Sequence, residues 1–123
     1  MGILDGKRIV VTGVLTDDSL AYGVAELAIK EGAEVALTGF GRALSLTKRT
    51  ARKLPVEPEV YELDVQDPSH APAVAAALES AWGRVDGVLH SIGYAPAACL
   101  GNGILGVGWE DVAIGVEVSA YSL

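Results

Sequence analysis

Gly13, followed by Val14-Leu15-Thr16-Asp17-Asp18-Ser19-Leu20-Ala21 and preceded by the β-branched run Ile9-Val10-Val11-Thr12, is the stretch with the most to offer chemically. A pyrophosphate is held by backbone N–H groups that converge with no side chain in the way, at the positive end of a helix dipole. Gly13 can supply the tight turn. The Ser19 and Leu20 amides and the Ser19 hydroxyl can supply donors, as where a first strand hands over to a helix in a dinucleotide fold. Asp17 and Asp18 argue against this, since carboxylates facing a phosphate repel it. The turn tolerates them if one caps the helix and the other faces solvent. A plain strand-to-helix turn fits the same local residues.

Three further stretches could meet the same ligand. In Thr38-Gly39-Phe40-Gly41-Arg42, an NAD site would usually offer Asp or Glu to the ribose hydroxyls. Here Phe40 can cover an adenine face and Arg42 can suit a 2′-phosphate, so these residues leave NADH and NADPH both open. Asp64, with the Val65 amide beside it, suits the amino edge of adenine, or simply caps its own turn. Ser91-Ile92-Gly93 stands where a nicotinamide ribose would lie, and glycine there admits close backbone approach.

The remaining reactive side chains form no catalytic or metal-binding set. His70 and His90 have no partners at metal or triad spacing and read as structural. Cys99 lacks a basic neighbour to activate its thiol. The literal G-x-G-x-x-G spacing occurs at Gly101-Asn102-Gly103-Ile104-Leu105-Gly106, but after a loop rather than a strand, and reads as loop.

Positioning these residues requires a regular alternation of strands and helices. A first strand runs up to Gly13. The helix after it repeats Leu20, Val24, Leu27 and Ala28 as its inward stripe, with Asp17, Asp18 or Ser19 as cap and Gly32 as stop. Glu34 to Thr38 is a second strand. Arg42 to Leu54 forms a basic-faced helix with Leu44, Ala51 and Leu54 inward, stopped by Pro55. Glu59 to Leu63 is a third strand. Asp67-Pro68 opens a helix burying Ala71, Val74, Ala75, Leu78 and Trp82, which Gly83 closes. Val85 to Ser91 is a fourth strand, Tyr94 to Gly108 a loop, and Trp109, Val112, Val116 and Ala120 a final helical stripe still running at Leu123. The expectation is an α/β fold with a doubly wound parallel sheet ordered 3-2-1-4 and a crevice at the carboxyl ends of strands 1 and 4.

Composition narrows the function classes. The 123 residues, half of them apolar, suffice for one domain. Sixteen acidic against nine basic side chains give a net charge of −7, a field that disfavours non-specific binding to nucleic acid or an anionic membrane. The single cysteine excludes an internal disulfide and fits a reducing compartment. With no signal-peptide core and no apolar run of membrane-spanning length, the cytoplasm is the expected location.

Together, these segments resemble the NADH-dependent enoyl-acyl-carrier-protein reductases of mycobacterial type, a divergent branch of the short-chain dehydrogenase/reductases. The resemblance rests on Leu4-Asp5-Gly6-Lys7-Arg8, on Gly13 with five residues before Ser19-Leu20-Ala21, and on Leu37-Thr38-Gly39-Phe40. It continues through Leu63-Asp64-Val65-Gln66, Asp86-Gly87-Val88-Leu89-His90-Ser91-Ile92-Gly93 and Val118-Ser119-Ala120-Tyr121-Ser122. It implies a Rossmann-like fold and reduction of a trans-2-enoyl thioester, carried on acyl carrier protein or CoA, by hydride from NADH in fatty-acid elongation. It assigns cofactor contacts to Gly13, Val14, Ser19, Leu20, Phe40, Asp64, Val65, Ser91, Ile92 and Gly93. Tyr94, Pro96 and Leu100 resemble residues lining the acyl pocket. The family is homotetrameric, and its catalytic tyrosine and lysine share a helix. No lysine follows Lys53 here, so neither Tyr94 nor Tyr121 has such a partner. The chain is accordingly expected to be the amino-terminal cofactor-binding part of such a reductase and inactive alone. The alternative is a stand-alone NAD-binding or interaction module.

Overall fold

In the computed structural model, residues 2–101 and 103–123 are described. The chain divides into two compact units, Met1–Ser91 and Ile92–Leu123. The first contains strands β1 (Arg8–Val11), β2 (Glu34–Gly39), β3 (Glu59–Glu62) and β4 (Gly87–Leu89), with helices α1 (Leu20–Lys30), α2 (Ala43–Ala51) and α3 (His70–Trp82) between them. All strand pairs are parallel and the order is β3-β2-β1-β4, as the alternation of elements requires. Val11 lies opposite Leu37 and Leu89, so β1 and β4 end level while β2 runs on to Gly39.

Side chains alternate between the two faces of the sheet. Val11, Val35 and Leu37 pack with Ala21, Ala25, Ala28, Ala51 and Leu54 on one face, and Val10 and Ala36 with Val74 and Leu78 on the other. A β-rich run buried on both sides reads as continuous hydrophobicity, which is why β1 and β2 are legible from their residues alone.

The inward stripe of α1 differs from expectation. Ala21, Ala25 and Ala28 are buried, while Leu20, Val24 and Leu27 are exposed. Ala28 alone belongs to both stripes. Methyl side chains let the helix axis approach the sheet closely, and the larger residues turn outward. Gly32, at φ +97°, then reverses the chain: its N–H bonds to Ile29 O and the Ala33 N–H to Ala28 O.

Other boundaries also move. α2 stops at Ala51, although Leu54 is buried beyond it, and Thr47 and Thr50 join its buried side. α3 begins two residues after Pro68, because the Asp67 carboxylate accepts hydrogen bonds from the Ser69 N–H (2.9 Å) and hydroxyl (2.6 Å) in a turn ahead of the helix. Val74 and Leu78 are buried and Trp82 is half-buried, whereas Ala71 and Ala75 are exposed. Gly83 closes the helix at φ +74°. β4 is only three residues long and its Val88 is exposed.

The second unit has a single 3₁₀ turn at Ala97–Cys99, helix α4 (Trp109–Val116) and a π-type turn at Glu117–Tyr121. The Ser119 hydroxyl holds it together locally, accepting from the Tyr94 N–H (3.0 Å) and donating to the Tyr94 carbonyl (3.1 Å). Trp109, Val112, Val116 and Ala120 are all exposed, and among the described residues of this unit Val118 alone is buried. The G-x-G-x-x-G spacing lies in loop with no strand before it, and its Asn102 lies outside the described residues. No helix among the described residues is long and apolar enough to cross a membrane.

Candidate functional site

The carboxyl ends of β1 and β4 mark where strand order reverses, the position at which an open parallel sheet offers a crevice. Gly13 leaves β1 there at φ +81°, and a Cβ on it would lie 1.9 Å from the Ser91 carbonyl oxygen. Both facts demand glycine. Thr12 fixes the approach, since its buried hydroxyl donates to Leu89 O (2.9 Å) and accepts from the Ser91 N–H (2.8 Å). The exit of β4 is thus fastened to the exit of β1 through one side chain.

The turn from Gly13 to Ser19 is held from α2. The Thr47 hydroxyl, fully buried, donates to Val14 O at 2.7 Å, and the Thr50 hydroxyl donates to Leu15 O at 2.8 Å. Val14 is completely buried, backbone as well as side chain, so neither its N–H nor its side chain faces solvent. Sequence reasoning missed Thr12, Thr47 and Thr50. The available signal was two threonines three apart on the side of α2 away from Lys48 and Arg49, where a hydroxyl can meet a turn carbonyl.

Ser19 is the N-cap of α1 but does not cap it through its side chain. Its hydroxyl oxygen instead accepts from the Leu15 and Thr16 N–H groups, each at 3.1 Å. With both lone pairs taken, the O–H proton remains to be donated. The Ser19 N–H, expected as a donor to a ligand, is spent on Thr16 O, and the Tyr22 and Gly23 N–H groups bond to Ser19 O, so the Leu20 and Ala21 amides are the helix-start donors beside this proton. The two aspartates sort differently from expectation, because neither caps the helix. Asp17 pairs with Lys53 Nζ at 3.1 Å, which partly neutralises it, and Asp18 lies exposed in the turn. Leu20 opens α1 with its side chain almost wholly exposed, at 89%.

Phe40 follows β2 and is 44% exposed. Asp64 follows β3, half-buried, with its place set by His70, whose Nδ1 accepts from the Asp64 N–H at 2.9 Å. That bond puts the imidazole proton on Nε2, which faces the Asp67 carboxylate at 3.3 Å. Hydrogen bonds from Ser69, aided by His70, hold the Asp67 carboxyl below its usual range. Asp64 Oδ1 also accepts from the Gln66 N–H at 3.0 Å, leaving Val65 half-buried between them. His70 is therefore structural and serves the Asp64 loop.

The parallel strands thus carry Gly13, Phe40, Asp64 and Ser91 just past their carboxyl ends in the first unit, and Ser19 follows as the N-cap of α1. Ile92, Gly93, Tyr94, Pro96 and Leu100 belong to the second unit. There Tyr94 and Leu100 are exposed and Pro96 is the half-buried N-cap of the 3₁₀ turn.

Comparison with known proteins agrees with this architecture. The family model described as enoyl-(acyl carrier protein) reductase matches residues 13–123. Over 125 residues the chain is 45% identical to an NADH enoyl-acyl-carrier-protein reductase of Mycolicibacterium smegmatis, covering 98% of this chain and 46% of that protein. It is 40% identical over 124 residues to the enzyme of the same name from Mycobacterium avium, with the same coverage of 98% and 46%. It is 35% identical over 127 residues to that of Neisseria meningitidis serogroup B, covering all of this chain and 48% of the relative. The chain spans about half the length of the curated relatives it matches. A match extending from the β1 turn to the last residue shows that the chain belongs to the enoyl-(acyl carrier protein) reductase family.

Proposed function

We propose that this chain contributes the NADH-binding part of an enoyl-acyl-carrier-protein reductase. The observation that carries the reading is the β1–α1 turn. A glycine that no other residue can replace, a serine with its proton left to donate and the Leu20 and Ala21 amides of a helix start follow β1 at the reversal of strand order. In this reading Gly13, Val14, Ser19 and Leu20 hold the pyrophosphate and the nicotinamide side. Phe40 stacks on adenine, and Asp64 accepts from its amino group while the Val65 N–H donates. Ser91, Ile92 and Gly93 bound the nicotinamide ribose, and Tyr94, Pro96 and Leu100 line the acyl chain of an enoyl thioester on acyl carrier protein or CoA.

Bound NADH supplies a hydride to C3 of the enoyl thioester. The residues of this chain bind and orient. The Ser19 hydroxyl and the first α1 amides neutralise pyrophosphate charge. Reduction also places negative charge on the thioester oxygen and calls for a donor there. Since no lysine follows Lys53, no tyrosine–lysine pair among these residues can serve as that donor. The chain by itself therefore binds NADH without turnover. Its setting is cytoplasmic fatty-acid elongation, within a homotetrameric reductase.

Titration of the chain with NADH, followed by nicotinamide fluorescence, tests the binding. Ser19→Ala should weaken it about tenfold, the scale of one charge-assisted hydrogen bond. Absence of saturable binding would refute the assignment. Loss of NADH absorbance with an enoyl-CoA, catalysed by these residues alone, would refute the claim that they bind without turnover.

A further inference from the structure

Two threonine hydroxyls of α2 reach away from their own helix. A helical threonine can bond back to a carbonyl three or four residues before it. The hydroxyls of Thr47 and Thr50 instead donate to Val14 O and Leu15 O, 33 and 35 residues away in the chain, and both threonines are buried. The carbonyls they hold are consecutive ones in the turn that leads to Ser19.

Each carbonyl shares a planar trans peptide unit with an N–H group, Val14 O with the Leu15 N–H and Leu15 O with the Thr16 N–H. Within such a unit the C=O and the N–H point in opposite directions. These N–H groups are the two that donate to Ser19 Oγ, each at 3.1 Å. Each threonine therefore grips one end of a peptide unit whose other end fills one lone pair of the serine. A hydroxyl free to rotate can offer either a proton or a lone pair, but one with both lone pairs filled offers its proton alone. It then favours acceptors, and anionic oxygen above all.

We propose that Thr47 and Thr50 are positioning residues that fix the polarity of the Ser19 hydroxyl, holding its proton toward the phosphate oxygens of the dinucleotide. The inference rests on the nucleotide site proposed above. Its first test needs no ligand: the amide protons of Leu15 and Thr16 are followed by proton–nitrogen correlation NMR. Thr47→Val should shift the Leu15 proton, and Thr50→Val the Thr16 proton, toward the positions they take in Ser19→Ala. Thr47→Ser and Thr50→Ser, which keep the hydroxyl, should leave both in place. Where a valine variant does not fold, alanine at the same position carries the same test. The second test is NADH affinity by nicotinamide fluorescence. Thr50→Val should weaken binding about three- to tenfold, up to the loss caused by Ser19→Ala, and Thr50→Ser should restore it. In a Ser19→Ala background the same valine substitution should change affinity by less than about twofold, since the hydroxyl it acts through is gone. An equal loss in both backgrounds overturns the action through Ser19. Amide protons unmoved by the valine substitutions overturn the relay whether or not NADH binds. Absence of saturable NADH binding to the unaltered chain overturns the nucleotide site, so the two failures are read separately.

Discussion

The Thr47 hydroxyl is a buried donor matched to one carbonyl, and its removal leaves Val14 O without its partner inside the protein. Thr47→Val should therefore cost about 1–3 kcal/mol. Thr47→Ser should recover most of that loss, and urea unfolding of the three proteins measures the difference. Equal midpoints for the Val and Ser variants would show that the bond carries no weight. Asp86 supplies a residue-scale effect of opposite character, at the surface. Its carboxyl sits below the ordinary 3.8 mainly because the Arg8 N–H donates to it at 2.8 Å, with Arg84 adding charge and burial opposing. A lowered carboxyl pKa means that the folded chain binds fewer protons than the unfolded one in this range. The stabilisation is thus complete above the ordinary value and is lost as pH falls through the lowered one. Asp86→Asn should flatten the decline of the urea midpoint between about pH 5 and about pH 3. An unchanged slope would refute the linkage.

At the scale of elements, much of the design was legible and the errors share a cause. Strand positions and order followed from short β-branched runs separated by helical segments, since a strand buried on both faces needs only apolar continuity. The helix faces were less legible, because apolar periodicity cannot tell which of two adjacent stripes meets the sheet. In α1 the alanines at 21, 25 and 28 win over Leu20, Val24 and Leu27 because close approach to the sheet favours small side chains. The hydroxyls of Thr12, Thr47 and Thr50 were hard to read for a related reason: the spacing of Thr47 and Thr50 marks a helix face, but the carbonyls they meet are brought near only by the folded turn. Ala25→Leu, overpacking a fully buried position, should cost about 1–3 kcal/mol. Leu27→Ala, at a side chain 59% exposed, should cost less than about 0.5 kcal/mol. Thermal melting of both variants decides which stripe is inward, and the reverse order of effects would restore the larger residues to the core.

The whole molecule holds together unequally. Among the described residues, the unit Met1–Ser91 contains both core clusters and every strand, whereas Ile92–Leu123 has one buried residue, Val118. Its order comes from local bonds: the Ser119 hydroxyl to Tyr94, the Cys99 N–H to Pro96 O and the helical bonds of α4. Exposed helical bonds open without exposing much apolar surface, so local opening there costs little, while opening β1 or β2 exposes the core on two faces. Amide hydrogen exchange should therefore show the slowest amides in Val10–Val11 and Val35–Thr38. Those of Trp109–Val116 should exchange orders of magnitude faster. Protection in α4 equal to that in β2 would mean that the second unit unfolds only with the first. In that case the interactions stabilising it would have to extend beyond its own residues. If exchange is instead graded as expected, NADH should slow the amides around Gly13 and Ser19 far more than those of α4, because the donors proposed to hold the pyrophosphate all belong to the stable unit.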